Sequence, residues 1–115
     1  MTDCLFCRIV AGEIPATVVL RTDELLAFRD ISPAAPTHVL VVPTAHHADM
    51  AALASADPAL AGRLLDACAQ VAAAEGVAES GYRTIFNTGP DSGQAVAHVH
   101  AHVLGGQFLG PLAAR

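Results

Sequence analysis

Three histidines alternate with small apolar residues in the last fifth of the sequence. His98, His100 and His102 are separated by Val99 and Ala101. Because side chains alternate between the two faces of a β-strand, this spacing predicts three imidazoles on one face. Neighbouring imidazoles disfavour one another's protonation, which keeps a nucleophilic lone pair available near neutral pH, and imidazole can attack phosphorus and leave again. Taken alone, the spacing is also consistent with metal binding by the three histidines or with a solvated polar face.

The segment just before these histidines combines glycine with neutral hydrogen-bond donors. Residues 87–94 read Asn-Thr-Gly-Pro-Asp-Ser-Gly-Gln. Glycines let backbone N–H groups approach a phosphate closely, and Asn87, Ser92 and Gln94 add side-chain donors. A glycine-containing loop is more often only a turn. Its direct connection to a histidine strand favours a phosphate site.

The secondary-structure elements that position these residues are predicted to follow the order strands, helix, strands along the chain. Alternating apolar patterns and turn residues predict a hairpin over 18–30, a loop over 32–36, strands over 37–43, 82–88 and 96–104, and a short helix over 45–54. A longer helix follows, with Asp57 as N-cap, Pro58 at its first position and Gly76 at its end. Its apolar stripe comprises Leu60, Leu64, Cys68 and Val71. The pattern predicts an α+β fold, a five-stranded antiparallel sheet with one long and one short helix.

Composition excludes several classes of protein. The chain has 115 residues, enough for a single domain spanning 1–115, and a net charge of −5 with no basic run, which argues against binding nucleic acid. Its three cysteines do not suggest a secreted disulfide framework. The N-terminal residues do not resemble a signal peptide, and no apolar run is long enough to span a membrane. We therefore expect a cytoplasmic protein.

The histidine segment resembles a known family signature. Residues 98–104, His-Val-His-Ala-His-Val-Leu, are similar to the H-φ-H-φ-H-φ-φ motif of the histidine triad (HIT) superfamily, where φ is apolar. The whole chain resembles the Hint branch of nucleoside phosphoramidases. The supporting matches are Phe6 and residues 12–15, 27–33, 35–38, 81–83, 93–94 and 103–106.

The resemblance implies a reaction and a role for each matching residue. His100 is the expected nucleophile, attacking the α-phosphorus of a nucleotide to form a nucleotidyl-histidine that water hydrolyses to a nucleoside monophosphate. His102 would orient the site and contact phosphate, supported by Asn87 and by the backbone of Gly93 and Gln94. The expected catalytic residues are therefore His100, His102, Asn87 and Gln94.

The resemblance also implies a purine nucleoside cleft. The matching positions are Phe6, Ile9, Phe28, Arg29 and Ile31, and Ala95 is also expected beside the nucleotide. Asp30 matches the acid that binds ribose, and a carboxylate can accept hydrogen bonds from both ribose hydroxyls. Alternatively, Phe28 and Ile31 are core residues and Phe6 anchors the N-terminal segment.

A structural zinc site is implied in the same way. Bacterial proteins of this branch often bind zinc through a C-x-x-C pair, a histidine after the third strand and the first triad histidine. Here these residues are Cys4, Cys7, His46 and His98, a sound tetrahedral set. The alternative is a pair of reduced cysteines in an N-terminal turn. Cys68 is expected in the core and His47 in solvent, while His38 matches a family position without a role that the sequence reveals.

Two departures from the family pattern leave substrate choice open. Ala95 stands where eukaryotic relatives carry a serine, and residues 107–115 lack the tryptophan of those relatives. Two other functions remain: a dinucleoside-polyphosphate hydrolase or phosphorylase of a sister branch, and a nucleotide-binding interaction module. His102, which stands where the sister branches usually have glutamine, favours Hint. The resemblance further implies a homodimer whose two sheets are continuous, and the modest aromatic content agrees with a partner surface.

Overall fold

The computed structural model describes residues 4–113, so the ends of the predicted domain, 1–3 and 114–115, lie outside it. Its elements, in chain order, are α1 (Leu5–Val10), β1 (Val18–Arg21), β2 (Leu25–Arg29), β3 (Thr37–Pro43), α2 (Met50–Ala56), α3 (Pro58–Ala74), β4 (Tyr82–Phe86), a 3-10 turn (Pro90–Ser92) and β5 (Ala101–Gly105). Within this part of the chain, no helix has the length and apolar character needed to cross a bilayer.

The strands form one antiparallel sheet, which confirms the predicted α+β fold. Their order is β1-β2-β3-β5-β4, so β5 lies between β3 and β4 although it comes last in the chain. Its register sets His102 opposite Leu40 of β3 and Ile85 of β4. The histidine strand is therefore held by hydrogen bonds on both sides.

Helix α3 covers one face of the sheet. Asp57 caps the helix by accepting a 3.0 Å hydrogen bond from the backbone N–H of Leu60, and Pro58 occupies the first turn, as predicted. The predicted apolar stripe is buried against inward-facing strand residues, namely Ala27, Val39, Val41, Ala101 and Val103. This core buries Ala101 and Val103 on one face of β5, so His102 lies on the opposite face.

Helix α1 covers part of the opposite face and was not among the predicted helices. Phe6 and Ile9 are buried in a second apolar cluster with Leu26, Phe28, Leu40 and Val42. With six residues, α1 is too short to show helical periodicity in sequence. Cys4 caps it, since its Sγ accepts from the N–H of Cys7 at 3.4 Å. The cluster brings the N-terminal segment against the histidine side of the sheet.

Some predicted boundaries were wrong. The short helix begins at Met50, capped by Asp49, rather than near residue 45. Strand β4 ends at Phe86 and β5 begins at Ala101, whereas the predicted strands spanned 82–88 and 96–104. The sheet ladder on either side of β5 starts at Ala101, and before it the Val99 N–H donates to the carbonyl of His47 at 2.7 Å. His98 and His100 therefore precede the strand.

Candidate active site and metal centre

The three histidines of the motif still lie in a row, although only His102 is in β5. The ring centroids of His100 and His102 are 5.0 Å apart. The Phe6 ring packs edge-on against His98 at 6.0 Å and against His100 at 4.9 Å. These contacts support the prediction that the three imidazoles lie on the same side of the sheet. His98 and His100 reach that side from the segment before β5 rather than from the strand itself.

His100 is buried and its ring orientation is fixed. Its Nδ1 lies 2.8 Å from the carbonyl oxygen of His98. A carbonyl only accepts, so Nδ1 carries the proton and donates it. In the neutral ring, the lone pair is then on Nε2. The side chain also lines a cavity, described below, so this arrangement offers a nucleophilic nitrogen to whatever occupies that cavity.

His102 is half-buried and has a histidine partner. Its Nδ1 lies 2.9 Å from Nε2 of His38, which is buried on the neighbouring strand β3. Burial, together with the nearby rings of His100 and His38, lowers the pKa of His102 to about 4. The ring is neutral at pH 7. No role for His38 could be predicted from the sequence, because its proximity to His102 depends on the non-local register of β3 with β5.

An apolar cleft of about 320 Å³ opens beside these rings. This volume lies in the range of small-molecule sites. All the predicted cleft residues line it together with two histidines of the motif: Phe6, Ile9, Phe28, Arg29, Asp30, Ile31, Ala95, His100 and His102. The rings of Phe6 and Phe28 meet edge to face at 5.6 Å. Ile31 is 98% exposed at the rim, so it is no core residue, whereas Phe6 and Phe28 serve both core and cleft.

Asp30 lies half-buried at the end of the cleft. One carboxylate oxygen, Oδ1, accepts a 2.7 Å hydrogen bond from the Ser32 N–H. The other, Oδ2, is 3.4 Å from Nε2 of His38. The first contact orients the carboxylate, and the second connects it to the histidine pair.

Arg29 contributes to the cleft wall, but its guanidinium forms an ion pair with Glu75. The guanidinium makes two hydrogen bonds to the carboxylate of Glu75, at 2.6 and 2.9 Å. In the sheet, Arg29 pairs with Val39, which faces α3 rather than the histidines. The hydrogen bonds to Glu75 raise the pKa of Arg29. The ion pair therefore ties the end of β2 to the end of α3.

The predicted phosphate loop is held by its own side chains. Gln94 accepts from the Gly89 N–H at 3.0 Å and donates to the carbonyls of Ala48 and Val96, at 2.8 and 3.0 Å. The N–H of Gly93 donates to Pro90. Of the residues predicted to contact the nucleotide, Asn87, Gly93 and Gln94 are outside the described lining of the cleft. The Gln94 side chain thus shapes the loop that precedes the histidines.

A second cluster lies at the other end of the histidine row. The structure brings together Cys4, Cys7, His46 and His98, whose ligand atoms all lie within 4.8 Å of one another. Cys4 Sγ is 3.3 Å from Nδ1 of His98, and Cys7 Sγ is 3.4 Å from Nδ1 of His46. The two Nδ1 atoms are 3.2 Å apart. Tetrahedral zinc with bonds of about 2.0–2.3 Å separates its ligand atoms by roughly 3.3–3.8 Å, so this set could hold a metal.

The protonation of His98 agrees with a ligand role. Its Nε2 lies 2.9 Å from the carbonyl oxygen of Pro43, so Nε2 carries the proton and Nδ1 directs its lone pair at the cluster. Burial lowers the pKa of His98, which favours the neutral ring that a metal requires. The cluster includes His46 rather than His47, as expected from the sequence.

Comparisons with known proteins agree on one family. A family model described as the HIT domain matches residues 11–109. The chain is 42% identical to the purine nucleoside phosphoramidase of Escherichia coli (strain K12) over 112 residues, which cover 97% of this chain and 94% of that protein.

Solved structures give the same result. A HIT family hydrolase from Clostridium thermocellum superposes with a TM-score of 0.91 at 39% identity, covering 96% of each chain. A histidine triad protein from Clostridium difficile superposes with a TM-score of 0.92 at 37% identity, covering 98% of each chain. The similarity thus extends over both the sheet and the cleft.

Proposed function

The chain belongs to the histidine triad (HIT) family and is a hydrolase of that family, and we propose that it cleaves purine nucleoside 5′-phosphoramidates with His100 as the nucleophile. The observation that carries the proposal is the 2.8 Å hydrogen bond from His100 Nδ1 to the His98 carbonyl, which leaves the Nε2 lone pair for attack. The likeness to the Escherichia coli phosphoramidase supports the substrate class.

The reaction proceeds by two displacements at phosphorus. In the first, His100 Nε2 bonds to the α-phosphorus while the P–N bond breaks, and the departing amine takes a proton from solvent. In the second, water attacks the nucleotidyl-histidine, the P–Nε2 bond breaks and a nucleoside monophosphate leaves. Neutral His102 supplies an N–H to a phosphate oxygen. Acyl-adenylates, which release the same monophosphate through P–O cleavage, fit the same chemistry.

The cleft would hold the nucleoside. Its apolar wall, built around Phe6 and Phe28, suits the faces of a purine base, and Asp30 lies where its carboxylate can accept from ribose hydroxyls. Backbone groups around Gly93 and Gln94, with Asn87, would border the phosphate. Ala95, which lines the cleft, supplies no hydroxyl to the leaving group.

We propose zinc for the cluster of Cys4, Cys7, His46 and His98. Two thiolates and two imidazoles at these separations suit zinc, which would supply structural cross-linking and no step of the reaction. It would fix α1 against the histidine row. Elemental analysis of the purified protein is expected to give about one zinc per chain, and a metal-free preparation would contradict the assignment.

We also propose a homodimer. Strand β4 is at the edge of the sheet, and Leu65 on α3 and Tyr82 on β4 are large apolar residues with 53% and 37% of their surface exposed. Pairing two β4 edges and two α3 helices would cover these groups. Analytical ultracentrifugation at micromolar concentration should give twice the chain mass, and a single-chain mass would rule the dimer out.

The decisive experiment traps the intermediate. The protein is mixed with an adenosine 5′-phosphoramidate, quenched within milliseconds, digested and examined by mass spectrometry. We expect adenylate on the peptide that contains His100, and none in the variant His100→Ala. Turnover without an adduct on this peptide would contradict the proposed nucleophile. Tight binding of AMP with no turnover would instead favour an interaction module.

A further inference from the structure

His38 links the carboxylate at the nucleoside end of the cleft to a histidine of the catalytic row. Ligand atoms of Asp30, His38 and His102 all lie within 4.8 Å of one another. His38 Nε2 is 2.9 Å from His102 Nδ1 and 3.4 Å from Asp30 Oδ2. These three side chains come from the end of β2, from β3 and from β5, so their contact depends on the assembled sheet.

The proton of His38 has a fixed location. The backbone N–H of Ala34 donates to His38 Nδ1 at 3.0 Å, so Nδ1 presents a lone pair and cannot carry a proton. A neutral His38 therefore has its single proton on Nε2. Burial lowers the pKa of His38, and the charge of Asp30 only partly opposes this effect. The net lowering favours the neutral ring at pH 7.

That single proton faces two acceptors. His102 Nδ1 is the nearer at 2.9 Å, while Asp30 Oδ2 at 3.4 Å carries the negative charge. The Ser32 N–H already occupies Oδ1, so Oδ2 is the carboxylate oxygen left to compete for it. Any other hydrogen bond donated to Asp30 Oδ2 makes this oxygen a weaker acceptor for the His38 proton.

The same geometry argues against a metal ion at these residues. A metal on His38 Nε2 would require that nitrogen to give up its proton, and the ring would then need its proton on Nδ1. Nδ1 instead faces the Ala34 N–H. Coordination would therefore demand either an imidazolate or a broken backbone hydrogen bond.

We propose that His38 is a positioning residue that couples ribose binding at Asp30 to the protonation pattern of His102. The inference rests on the proposed function. Ribose hydroxyls donate to Asp30 Oδ2, so the His38 proton goes wholly to His102 Nδ1. His102 must then carry its own proton on Nε2, the N–H that a phosphate oxygen accepts. Recognition of the sugar thus raises the rate of the chemical step as well as the affinity.

The first test observes the hydrogen bond without turnover. Protein labelled with ¹⁵N-histidine is titrated with AMP and with 2′,3′-dideoxy-AMP, and the ¹⁵N shifts of His38 Nε2 and His102 Nδ1 are recorded. We expect AMP to move both resonances toward a stronger Nε2–H to Nδ1 hydrogen bond, and dideoxy-AMP at saturation to leave them near their free positions. Equal shifts with both nucleotides would overturn the coupling.

The second test separates the single-proton mechanism from a merely structural role. Single-turnover rates are measured at saturation with adenosine and 2′,3′-dideoxyadenosine phosphoramidates. In the unmodified protein the ribose substrate should react about tenfold faster. In His38→Gln the ratio should fall toward one while the rate stays high, because the amide has two N–H groups and can donate to Asp30 and His102 at once. In His38→Leu the ratio should also approach one, with both rates low.

A structural role predicts a different pattern. Both variants would then lower the rates and keep the tenfold ratio, which would overturn the proposal. The control is Thr37→Val, a buried neighbour on the opposite face of β3, which should keep both the ratio and the rates. A zinc titration that shifted the His38 ring would support the metal instead and contradict the inference. Failure of every nucleotide to bind or react would refute the proposed function itself, a result distinct from equal shifts or an unchanged ratio.

Discussion

The two ends of the histidine row use the same side chain for opposite purposes. At one end, His98 is fully buried, donates its Nε2 proton to Pro43 and directs a lone pair toward two cysteines. At the other end, His102 is half-buried beside the cleft and accepts from His38. Between them, His100 lines the cleft and donates its Nδ1 proton to the His98 carbonyl, which leaves its lone pair on Nε2. The difference shows that the neighbouring carbonyl or N–H, rather than the spacing of the motif, decides what each imidazole can do.

The largest expected effect is at the centre of the row. His100→Ala removes the proposed nucleophile, and we expect kcat/KM for an adenosine phosphoramidate to fall roughly a thousandfold or more. Steady-state kinetics with a fluorogenic leaving group measures it. His47→Ala is the matched histidine control, because the hydrogen bond of His47 to this segment comes from its backbone carbonyl, which accepts from the Val99 N–H, and the activity should stay within about twofold. Equal activity of the His100 variant would remove the catalytic assignment.

The end of the row with the proposed zinc site is expected to affect stability more than chemistry. Cys4→Ser should abolish zinc binding and lower the free energy of unfolding by about 2 kcal/mol or more, a drop in Tm of roughly 10 °C. The activity of the folded fraction should fall less. Calorimetry with metal analysis checks both. Cys68→Ala, on the buried face of α3, is the control that should keep the metal. A Cys4 variant with unchanged Tm would show that this cluster does not stabilise the fold.

The cleft end makes stability depend on pH. The pKa of His102 is lowered to about 4 in the folded protein, whereas the unfolded chain has the ordinary value of about 6.5, so the unfolded state binds more protons between these limits. The contribution of His102 is complete above pH 6.5 and is lost as the pH falls toward 4. Urea unfolding of wild type and His102→Asn at pH 7 and pH 5 should show a difference on the order of 1 kcal/mol in this dependence. Parallel pH profiles would contradict the lowered pKa.

The smallest effect is expected from the cation at the cleft wall. Arg29→Met breaks the ion pair with Glu75, which is partly exposed, so the loss of stability should be about 1 kcal/mol or less. KM should change by less than about twofold, because the guanidinium faces α3. A double-mutant cycle with Glu75→Gln isolates the pair. A tenfold rise in KM would restore the sequence-based expectation that the Arg29 side chain binds the nucleotide.

Short-range signals in the sequence were enough to predict much of the fold. The cap at Asp57, the proline after it and the apolar stripe of α3 are short-range features, and alternation defined the hairpin and β3. The start of β5 was not predictable in this way, because it depends on where the neighbouring strands cease to pair. Helix α1 is too short for periodicity and is stabilised by burial of Phe6 and Ile9.

The candidate site was likewise predictable where the signal was local and not where it depended on distant contacts. The family motif identified the histidine row, the cleft and the metal-binding set, which the structure brings together at two ends of one row. It did not reveal that the Arg29 guanidinium is engaged by Glu75 or that His38 contacts His102. The first fact depends on how α3 packs against β2, and the second on the register of β3 with β5. Polar partners from distant segments of the chain are therefore the part of a site that a motif leaves open.

The position of β5 has a consequence for how the protein folds during its synthesis on the ribosome. β3 and β4 do not pair with each other, and the strand that joins them is the last of the described strands to be synthesised. Until residue 105 has left the exit tunnel, the nascent chain can fold its first hairpin and helices but cannot close the sheet. Assembly of the cleft is thus withheld from incomplete chains, since closing the sheet and aligning the histidine rings are one event.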